Sequence, residues 1–403
     1  MSKILVLSTV DYHYDGHGWA LAEKLKSQDN EVCFICLEKT MPDTEYYFFD
    51  KYSRKGIQNF IRILYNNIDG IFLHKIMGAD SLYAFQTAGL YGISAKKILR
   101  KSPFKPEVIY ITWTARFLTP KTVRELYDKT SAKIVFSMID EAILSACHFP
   151  GNCKGYENCC KNCPGIKRFK SLSHRLVRMK EKYWIDMPAS IIGSRYDISL
   201  CRKVPFLKHM KMTGEVLVPD TSPIYSKQDS RKILDIPLDD FVIFTGANNI
   251  LEKRKGFKVL VEAVNRLVDL ALGGRRITFL IVGNLKGDFP YKVDPRVNFI
   301  VKGFLPKEVF FRTYYACDVY ASPTLADSGP MMVNYAVASG RPVVAFPVGC
   351  AMDLVVNEKT GYMARYGDYE DFARGLLLFY KMSDKEINSY EKMCRAHIMQ
   401  FKV

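Results

Sequence analysis

Short apolar runs rich in β-branched residues recur along the chain, and each is followed by a helical segment or by Gly and Pro. Continuous apolar runs are typical of strands buried on both faces of a parallel sheet, so the pattern predicts two series of βαβ units. The strands predicted in the first half are Ile4–Ser8, Glu31–Ile35, Ile71–Leu73, Val108–Ile111 and Lys133–Met138. Those predicted in the second half are Phe241–Thr245, Ile277–Val282, Asn298–Val301, Asp318–Ala321 and Pro342–Phe346.

Helical periodicity follows the first strand of each half, at Trp19–Lys26 and at Gly256–Leu270. Counting units predicts an N-terminal domain over 1–212, a C-terminal domain over 213–385 and a C-terminal helix over 386–403. Whether that helix packs back toward the N-terminal domain stays open. The predicted fold class is α/β, with two Rossmann-like doubly wound domains facing each other across a cleft. Because open α/β sheets bind ligands at the carboxyl ends of their strands, we expect the functional site in this cleft.

The composition excludes several classes of protein. The chain has 403 residues, 48% of them hydrophobic and 25% charged, which is typical of a globular protein and not of a disordered or fibrous one. No apolar run reaches the roughly 18 residues of a membrane-spanning helix. Eleven cysteines in a chain without an export signal indicate free thiols in a reducing cytoplasm, and a small secreted disulfide scaffold is excluded.

The positive charge is concentrated in one segment. The chain carries 58 Lys and Arg against 42 Asp and Glu, and residues 161–211 alone hold 13 of these cations and three acids. Such a local excess predicts an anionic partner. Within it, 166–184 has the spacing of an amphipathic helix, with Phe169, Leu172, Leu176 and Tyr183 as its apolar positions. A cationic helix of this kind favours a membrane surface, and the alternative is that it packs inward while its charge only solubilises the protein.

Two segments of the second half could bind a diphosphate. The loop Asp327-Ser328-Gly329-Pro330 precedes a predicted helix that begins at Met331. Free N–H groups at such a helix start bind anions, and ordinary N-capping by Asp327 or Ser328 is the alternative. Arg254 and Lys255 follow a predicted strand and could stabilise the charge of a leaving diphosphate, and a solvated basic turn is the alternative.

Two segments of the first half could bind a ligand or a metal ion. The turn Gly16-His17-Gly18 lies between a strand and a helix, where glycines allow a backbone to approach phosphates or an acceptor. Five cysteines are crowded into 147–163, enough for a tetrahedral zinc site with His148 as a spare ligand. Disulfides and packed free thiols are the alternatives, and each of the three would be structural. The zinc set that we single out is Cys147, Cys153, Cys159 and Cys163.

Several motifs together resemble the GT-B glycosyltransferases of family 4, in particular those of bacterial exopolysaccharide and O-antigen assembly. The similar segments are Ala326–Asn334, Ala338–Phe346, Thr360–Tyr362, Arg254–Phe257 and the Cys-rich stretch Cys147–Pro164. The resemblance implies catalytic roles for Lys255, Arg254 and Asp140. It implies donor-binding roles for Gly16, Gly18, Ser328, Gly329, Pro330, Met331 and Asn334.

The chain also departs from the family pattern. The two glutamates that usually flank the donor loop are replaced by Ala326 and Asn334, and the histidine that usually follows a first-domain strand is replaced by Ile139. Asn334 can still bond a ribose hydroxyl, whereas Ala326 cannot contact the donor sugar. Asp140 keeps a polar group beside Ile139.

The resemblance implies a hexosyltransferase that moves a sugar from a nucleoside-diphosphate sugar to a lipid-linked oligosaccharide or other glycan acceptor, in surface polysaccharide biosynthesis. It further implies retention of configuration and no cofactor for catalysis, since the chain has no Asp-x-Asp triplet to anchor a metal. We expect a cytoplasmic protein, peripheral on the anionic inner face of the cell membrane, with no nucleic-acid partner. The alternative is a catalytically weakened scaffold of a polysaccharide assembly complex that still binds nucleotide sugars.

Overall fold

The computed structural model of the protein describes residues 1–10, 17–38, 47–48, 71–80, 92–151, 153–216, 218–219, 221–271, 273–285, 287–329 and 331–401. The chain divides into two compact units. The first comprises Met1–Gly193 with Asp197–Gly214, and the second comprises Ser194–Tyr196 with Glu215–Val403. The main division therefore falls after Gly214, where the sequence predicted a join after Met212.

The chain up to Gly214 alternates strands and helices. The strands are β1 (Lys3–Val10), β2 (Glu31–Glu38), β3 (Tyr47–Phe48), β4 (Val108–Ile111), β5 (Lys133–Ser137), β6 (Ala189–Gly193) and β7 (Lys211–Gly214). The helices are α1 (His17–Lys26), α2 (Ala95–Lys101), α3 (Pro120–Thr130), α4 (Lys170–Trp184) and α5 (Arg195–Cys201). Single turns of other helix types lie at Ile71–Ile76, Gly155–Asn158 and Pro205–Leu207.

The chain after Gly214 repeats this alternation. The strands are β8 (Phe241–Asn249), β9 (Ile277–Asn284), β10 (Asn298–Lys302), β11 (Val319–Ser322), β12 (Val343–Ala345) and β13 (Gly361–Met363). The helices are α6 (Lys227–Ile233), α7 (Phe257–Leu270), α8 (Lys307–Ala316), α9 (Met331–Ala338), α10 (Ala351–Leu354), α11 (Tyr369–Tyr380) and α12 (Asp384–Met399). A 3₁₀ turn spans Lys253–Lys255.

Each unit is built on one parallel sheet. Within the described residues, the first sheet has the order β3-β2-β1-β4-β5-β6-β7 and the second has the order β10-β9-β8-β11-β12-β13. The strand order reverses beside β1 in the first sheet and beside β8 in the second. In a doubly wound sheet this switch point opens a crevice at the carboxyl ends of the strands, which is where ligands bind.

The core of the second unit lies on both faces of its sheet. Val242 and Phe244 of β8 pack in one apolar cluster with residues of α8, α9 and α12. Phe241 and Ile243 pack in another with residues of α7 and α11. Successive side chains of a strand point to opposite faces, so a strand buried on both faces needs an unbroken apolar run. This confirms the reading of the continuous apolar runs as buried parallel strands.

Two expectations about individual elements were wrong, wholly or in part. Ile71–Leu73, predicted as a strand, lies in the helical turn Ile71–Ile76, and Ile71 and Ile76 are exposed. The predicted apolar face of helix α4 is only partly right, because Leu176 is buried whereas Phe169, at the N-cap, is 60% exposed and Lys180 is 6% exposed. The helix packs inward through Trp184, whose ring meets Phe136 of β5. In the part of the chain that the structure describes, no helix combines the length and the apolar character needed to cross a membrane.

A buried arginine connects four elements of the second unit. Arg231 on α6 is 2% exposed, and its Nη2 lies 2.8 Å from Oδ2 of Asp318, which is fully buried before β11. Its Nε donates to the carbonyl of Ala316 and its Nη1 to that of Asp240, both at 2.9 Å. Asp318 Oδ2 also accepts from the backbone N–H of Val242 at 2.7 Å. Because these groups have no access to water, each depends on the others for hydrogen bonds.

We predict that Arg231→Met lowers the free energy of unfolding by about 3 kcal/mol, because the buried Asp318 carboxylate loses its guanidinium partner and retains its ion pair with Lys227 at 2.7 Å. Chemical denaturation followed by circular dichroism measures the change. Arg296→Met is the matched control, since the side chain of Arg296 is 59% exposed in both of its ion pairs. That control should change stability by less than about 1 kcal/mol. Equal effects of the two substitutions would contradict the role given to Arg231.

Candidate functional site

A pocket of the second unit lies at the carboxyl ends of β8 and β11, the two strands that meet at the switch point. It is lined by Thr245, Gly246, Lys255, Phe257, Tyr320, Met331 and Met332, among others. The lining therefore brings together the end of β8, the basic turn, the loop after β11 and the first turn of α9. Of the residues predicted for donor binding and catalysis, Lys255 and Met331 lie in this pocket.

A close approach between two backbone segments shapes the pocket wall. Gly256 has a φ of +70°, and a Cβ built on it would lie 1.9 Å from the carbonyl oxygen of Pro323. The turn after β8 can therefore touch the loop after β11 only if this residue is glycine. The backbone N–H of Leu325 donates to the carbonyl of Arg254 at 2.7 Å, which ties the two segments together.

An ion pair links the same two segments. Asp327 Oδ2 lies 2.7 Å from Nη1 of Arg254 and 2.6 Å from Nζ of Lys255. Burial alone would raise the pKa of Asp327, but the charges of Lys255 and Arg254 outweigh it and hold the pKa below its usual value. Arg254 also pairs with Glu252 at 2.8 Å. Lys255 is therefore the member of the pair that lines the pocket, while Arg254 is turned toward two carboxylates.

The start of α9 offers polar groups beside this ion pair. Ser328 is 1% exposed, and its Oγ has no hydrogen-bond partner within the described ranges. Gly329 is half-buried, and a Cβ built on it would meet nothing within 4 Å, so there is open space beside its backbone. Pro330, the fourth residue predicted for this loop, lies outside the described residues. The helix start and Lys255 can together attract an anion.

Two of the three positions that depart from the family pattern lie near this pocket in the chain, and both are buried. Ala326 is 2% exposed and carries no polar atom on its side chain. Asn334 is 2% exposed, and its Oδ1 accepts a hydrogen bond from Cys350 Sγ at 2.9 Å. The role of Asn334 toward a ribose hydroxyl stays a prediction.

The first turn of α1 in the first unit is held against the sheet. A Cβ built on Gly18 would lie 2.9 Å from Ser8 Cβ of β1 and 3.0 Å from Thr112 Oγ1, so close packing requires glycine there. His17 Nε2 is hydrogen-bonded to Ser137 Oγ of β5 at 2.8 Å. Gly16, which the sequence grouped with Gly18 for donor binding, lies outside the described residues.

Asp140 lies in the loop after β5, and its carboxylate has two hydrogen-bond partners. Asp140 Oδ2 is 2.6 Å from Nδ1 of His148, and Oδ1 accepts from the backbone N–H of Ala142 at 2.9 Å. Asp140 is 6% exposed, so the side chain that can reach a ligand from this pair is the imidazole. The sequence offered His148 only as a spare metal ligand and placed the chemistry on Asp140.

The cysteine cluster does not have the arrangement of a zinc site. Among the described residues, no three His, Cys, Asp or Glu side chains are grouped closely enough to hold a metal ion. The Cys159 thiol is hydrogen-bonded to Arg178, whereas Cys147, Cys153, Cys160 and Cys163 interact electrostatically with one another. All eleven cysteines are free thiols, and burial raises the pKa of Cys160 to about 11. The predicted set Cys147, Cys153, Cys159 and Cys163 therefore does not fit tetrahedral zinc.

Two features of these sites were missed from the sequence. The sequence offered Asp327 only as a helix cap. Its carboxylate lies in the loop after one strand, and the basic turn Arg254-Lys255 follows the neighbouring strand, an arrangement that could have indicated an ion pair. The contact of Asp140 with His148 spans an eight-residue loop, and no spacing rule predicts it. The first contact joins segments that follow neighbouring strands and the second lies within one loop, so both depend on how the chain folds.

Comparisons with known proteins extend this description. Residues 239–381 match the protein-family model described as Glycosyl transferases group 1. A 2-deoxystreptamine glucosyltransferase from Streptomyces kanamyceticus is 30% identical over 129 residues, 30% of this chain and 32% of that protein. The UDP-Gal:alpha-D-GlcNAc-diphosphoundecaprenol alpha-1,3-galactosyltransferase of Escherichia coli is 24% identical over 245 residues, 57% of this chain and 62% of that protein. The chain thus spans less than two thirds of the length of these relatives.

Solved structures match nearly the whole chain. Sucrose-phosphate synthase from Thermosynechococcus elongatus has a TM-score of 0.64 at 14% identity, covering 99% of this chain and 94% of that one. HepE of Anabaena, in complex with UDP and glucose, has a TM-score of 0.60 at 14% identity, covering 99% and 95%. The protein therefore has the GT-B fold of glycosyltransferases, with two Rossmann-like α/β units, as the sequence predicted.

We predict that His17 makes the stability of the protein depend on pH. Burial, with a further contribution from the charge of Lys24, lowers the pKa of His17 from 6.5 to about 4. The unfolded chain therefore binds more protons between these values, so the free energy of unfolding is highest above pH 6.5 and falls as the pH drops toward 4. The loss should reach up to about 3 kcal/mol.

Denaturation curves between pH 4 and 7.5 measure this dependence, and His17→Gln should flatten it in that range. His209→Gln, which replaces an exposed histidine of the same unit, should leave the curve unchanged. The interpretation would be wrong if His17→Gln and the unsubstituted protein lost stability equally on acidification.

Proposed function

We propose that this protein is a metal-independent glycosyltransferase that moves a hexosyl group from a nucleoside-diphosphate sugar to a lipid-linked oligosaccharide or other glycan acceptor. Its donor pocket is the one at the carboxyl ends of β8 and β11. The enzyme is of the family 4 type, which its motifs resemble. A single observation carries the proposal: Lys255 and the first turn of α9 line the same pocket at the switch point of the sheet.

The comparisons support this choice of reaction. The match to the Glycosyl transferases group 1 model covers the strands and loops that form the pocket. The Escherichia coli relative is named as a transferase of galactose from a UDP donor to a lipid-diphosphate-linked sugar, and HepE was solved with UDP and glucose. From these names we infer a nucleotide-sugar donor and a lipid-linked acceptor, and surface polysaccharide biosynthesis as the setting.

The pocket can supply the electrostatic part of sugar transfer. When the bond between the sugar and the diphosphate breaks, negative charge accumulates on the departing diphosphate. Lys255, held in place by Asp327, and the N–H groups at the start of α9 stabilise that charge without having to reorganise. The leaving phosphate then assists deprotonation of the acceptor, and the anomeric configuration is retained.

An exposed patch of the first unit supports a peripheral position on an anionic membrane. We call it the Phe169 patch; it is formed by Ile76 and Phe169 together with Lys75, Lys167 and Arg168. The two segments touch, because the N–H groups of Lys167 and Arg168 both donate to the carbonyl of Met77 at 3.0 Å. Phe169 is 60% exposed and Ile76 is 42% exposed, and the three cations are exposed around them. In an anionic membrane, the two apolar side chains can contact the lipid chains while the surrounding cations contact the negatively charged headgroups.

We predict that Lys255→Met lowers sugar transfer at least a hundredfold, as expected when a cation that stabilises a leaving group is removed. The assay incubates the full chain with a panel of UDP- and GDP-sugars and glycan acceptors and follows nucleotide release and product formation. Lys258→Met is the matched control, since Lys258 lies in the first turn of α7, close to Lys255 in the chain, with its side chain 71% exposed. The control should retain full activity.

The same panel can overturn the proposal. If no nucleotide sugar raises the thermal midpoint of the unsubstituted protein and none is consumed, the donor assignment is wrong. If donors bind but no sugar is transferred to any glycan and Lys255→Met changes nothing, the protein is a binding component and not an enzyme.

We predict that Phe169→Ser combined with Ile76→Ser weakens binding to vesicles containing anionic phosphatidylglycerol at least tenfold, because two apolar side chains no longer enter the bilayer. Co-sedimentation at low and high salt measures binding, and vesicles of phosphatidylcholine alone give the background. Phe304→Ser, which replaces a 70% exposed phenylalanine of the second unit, should bind like the unsubstituted protein. Equal binding to neutral and anionic vesicles would argue against the membrane assignment.

A further inference from the structure

We propose that His148, oriented by Asp140 and placed beside Trp113, forms a sugar-binding subsite at the carboxyl ends of β4 and β5 of the first unit. Its ligand is a neutral pyranose, of which one hydroxyl donates a hydrogen bond to Nε2 of His148. The inference deepens the proposed function and rests on it for the identity of that pyranose as part of the transferase's glycan substrate.

The carboxylate of Asp140 fixes the imidazole. Its Oδ2 lies 2.6 Å from Nδ1 of His148, while its Oδ1 accepts from the N–H of Ala142 at 2.9 Å. An ionised carboxylate only accepts hydrogen bonds, so Nδ1 carries the proton. In the neutral ring, Nε2 then presents a lone pair, and the structure gives it no hydrogen-bond partner among the described residues. The imidazole side chain keeps 12% of its surface exposed, so a hydroxyl can reach it.

The loop that carries His148 is held rigidly. The N–H of Glu141 donates to the carbonyl of His148 at 2.8 Å, which closes the loop on itself. Beneath it, the buried ammonium of Lys180 donates to the carbonyls of Ala142 and Ser145. Binding groups held by such buried contacts lose little freedom when a ligand arrives.

Trp113 gives the subsite an apolar wall. It lies just beyond Thr112, which follows β4, and its ring meets that of His148 edge to face at 6.1 Å and 78°. Thr9 Oγ1 of β1 donates to the carbonyls of Trp113 and Ala115, at 3.1 and 2.8 Å, which fixes this segment. The indole is half-buried. A half-buried indole beside a hydrogen-bonding group suits a ligand with one apolar face and hydroxyls at its edge, which describes a pyranose.

The charges around the subsite favour a neutral ligand over an anionic one. Asp140 and Glu141 are both buried, 6% and 2% exposed, in the same loop. Lys180, which lies under the loop, directs its ammonium to backbone carbonyls and not outward. A phosphate or carboxylate near Nε2 would face the carboxylate that orients the ring, whereas a hydroxyl would not be repelled.

The test uses the full chain labelled with ¹⁵N-histidine and titrated with methyl α-D-glucopyranoside and methyl α-D-galactopyranoside. The Nε2 resonance of His148, assigned by its loss in His148→Gln, should shift on addition of at least one glycoside and should not shift with the acyclic polyol mannitol. The resonance of the exposed His209 should stay in place. The absence of any glycoside-dependent shift at His148 would overturn the subsite, even if the protein is an active transferase.

Kinetics give a second measurement. His148→Phe keeps an aromatic ring of similar size but removes the acceptor nitrogen, and it should lower kcat/KM for the glycan acceptor at least tenfold while the thermal shift caused by UDP or GDP is unchanged. His148→Gln, whose side-chain carbonyl can accept a hydroxyl, should recover part of the loss, and His209→Phe should have no effect. Unchanged kcat/KM in His148→Phe would contradict the inference.

These outcomes separate the inference from the proposed function. If the unsubstituted protein transfers no sugar from any donor, the proposed function fails, and the glycoside titration still decides whether the subsite exists. If His148→Phe does not fold, the titration of the unsubstituted protein and the kinetics of His148→Gln remain.

Discussion

The ion pair of Asp327 with Lys255 and Arg254 is the interaction on which the site of the second unit depends. It joins the turn after β8 to the loop after β11, and these two strands are neighbours at the switch point of the sheet. The backbone bond from Leu325 to Arg254 and the close approach at Gly256 act between the same segments. Because a buried carboxylate needs its cations, the loop and the turn keep their relative positions before any ligand arrives. Lys255 is therefore already fixed at the pocket.

The predicted fold follows from features that are local in the sequence. Continuous apolar runs gave β8 and β9 at their observed starts, Phe241 and Ile277, because a strand buried on both faces needs apolar side chains at most of its positions. The same reasoning was wrong for Ile71–Leu73, where three apolar residues are too short a run to distinguish a strand from an exposed helical turn. Strands with weak apolar character, such as Lys211–Gly214, were not predicted, since only their neighbours in the sheet define them.

The sites were predicted where the chemistry lies within a short segment and missed where it depends on tertiary contacts. Lys255 was identified from its position after a strand, and it lines the pocket. Lys180 could not be recognised as a buried structural cation, because in the sequence it is one of many basic residues on a helix. The pairing of Asp140 with His148 could not be predicted for the same reason. The conformation of the loop between them depends on hydrogen bonds from the buried Lys180 and not on the spacing of residues within the loop. The local sequence pattern shows which kinds of side chain a segment offers. Tertiary packing decides which of these side chains come into contact.

The two units present side chains of different charge at the same place in their folds, the carboxyl ends of the sheet strands. Each places polar side chains in the loops that follow adjacent strands beside its switch point. In the second unit the groups that face the pocket are a lysine and the start of a helix, which attract negative charge. In the first unit a buried carboxylate orients an imidazole, so the pair presents a hydrogen-bonding nitrogen without an excess of positive charge. The proposed sugar transfer needs both kinds of environment, since a nucleotide-sugar donor carries a diphosphate and a glycan acceptor is held through its hydroxyl groups. The doubly wound sheet supplies the same ends of strands in each unit, and the choice of side chain after each strand decides which part of the substrate that unit can bind.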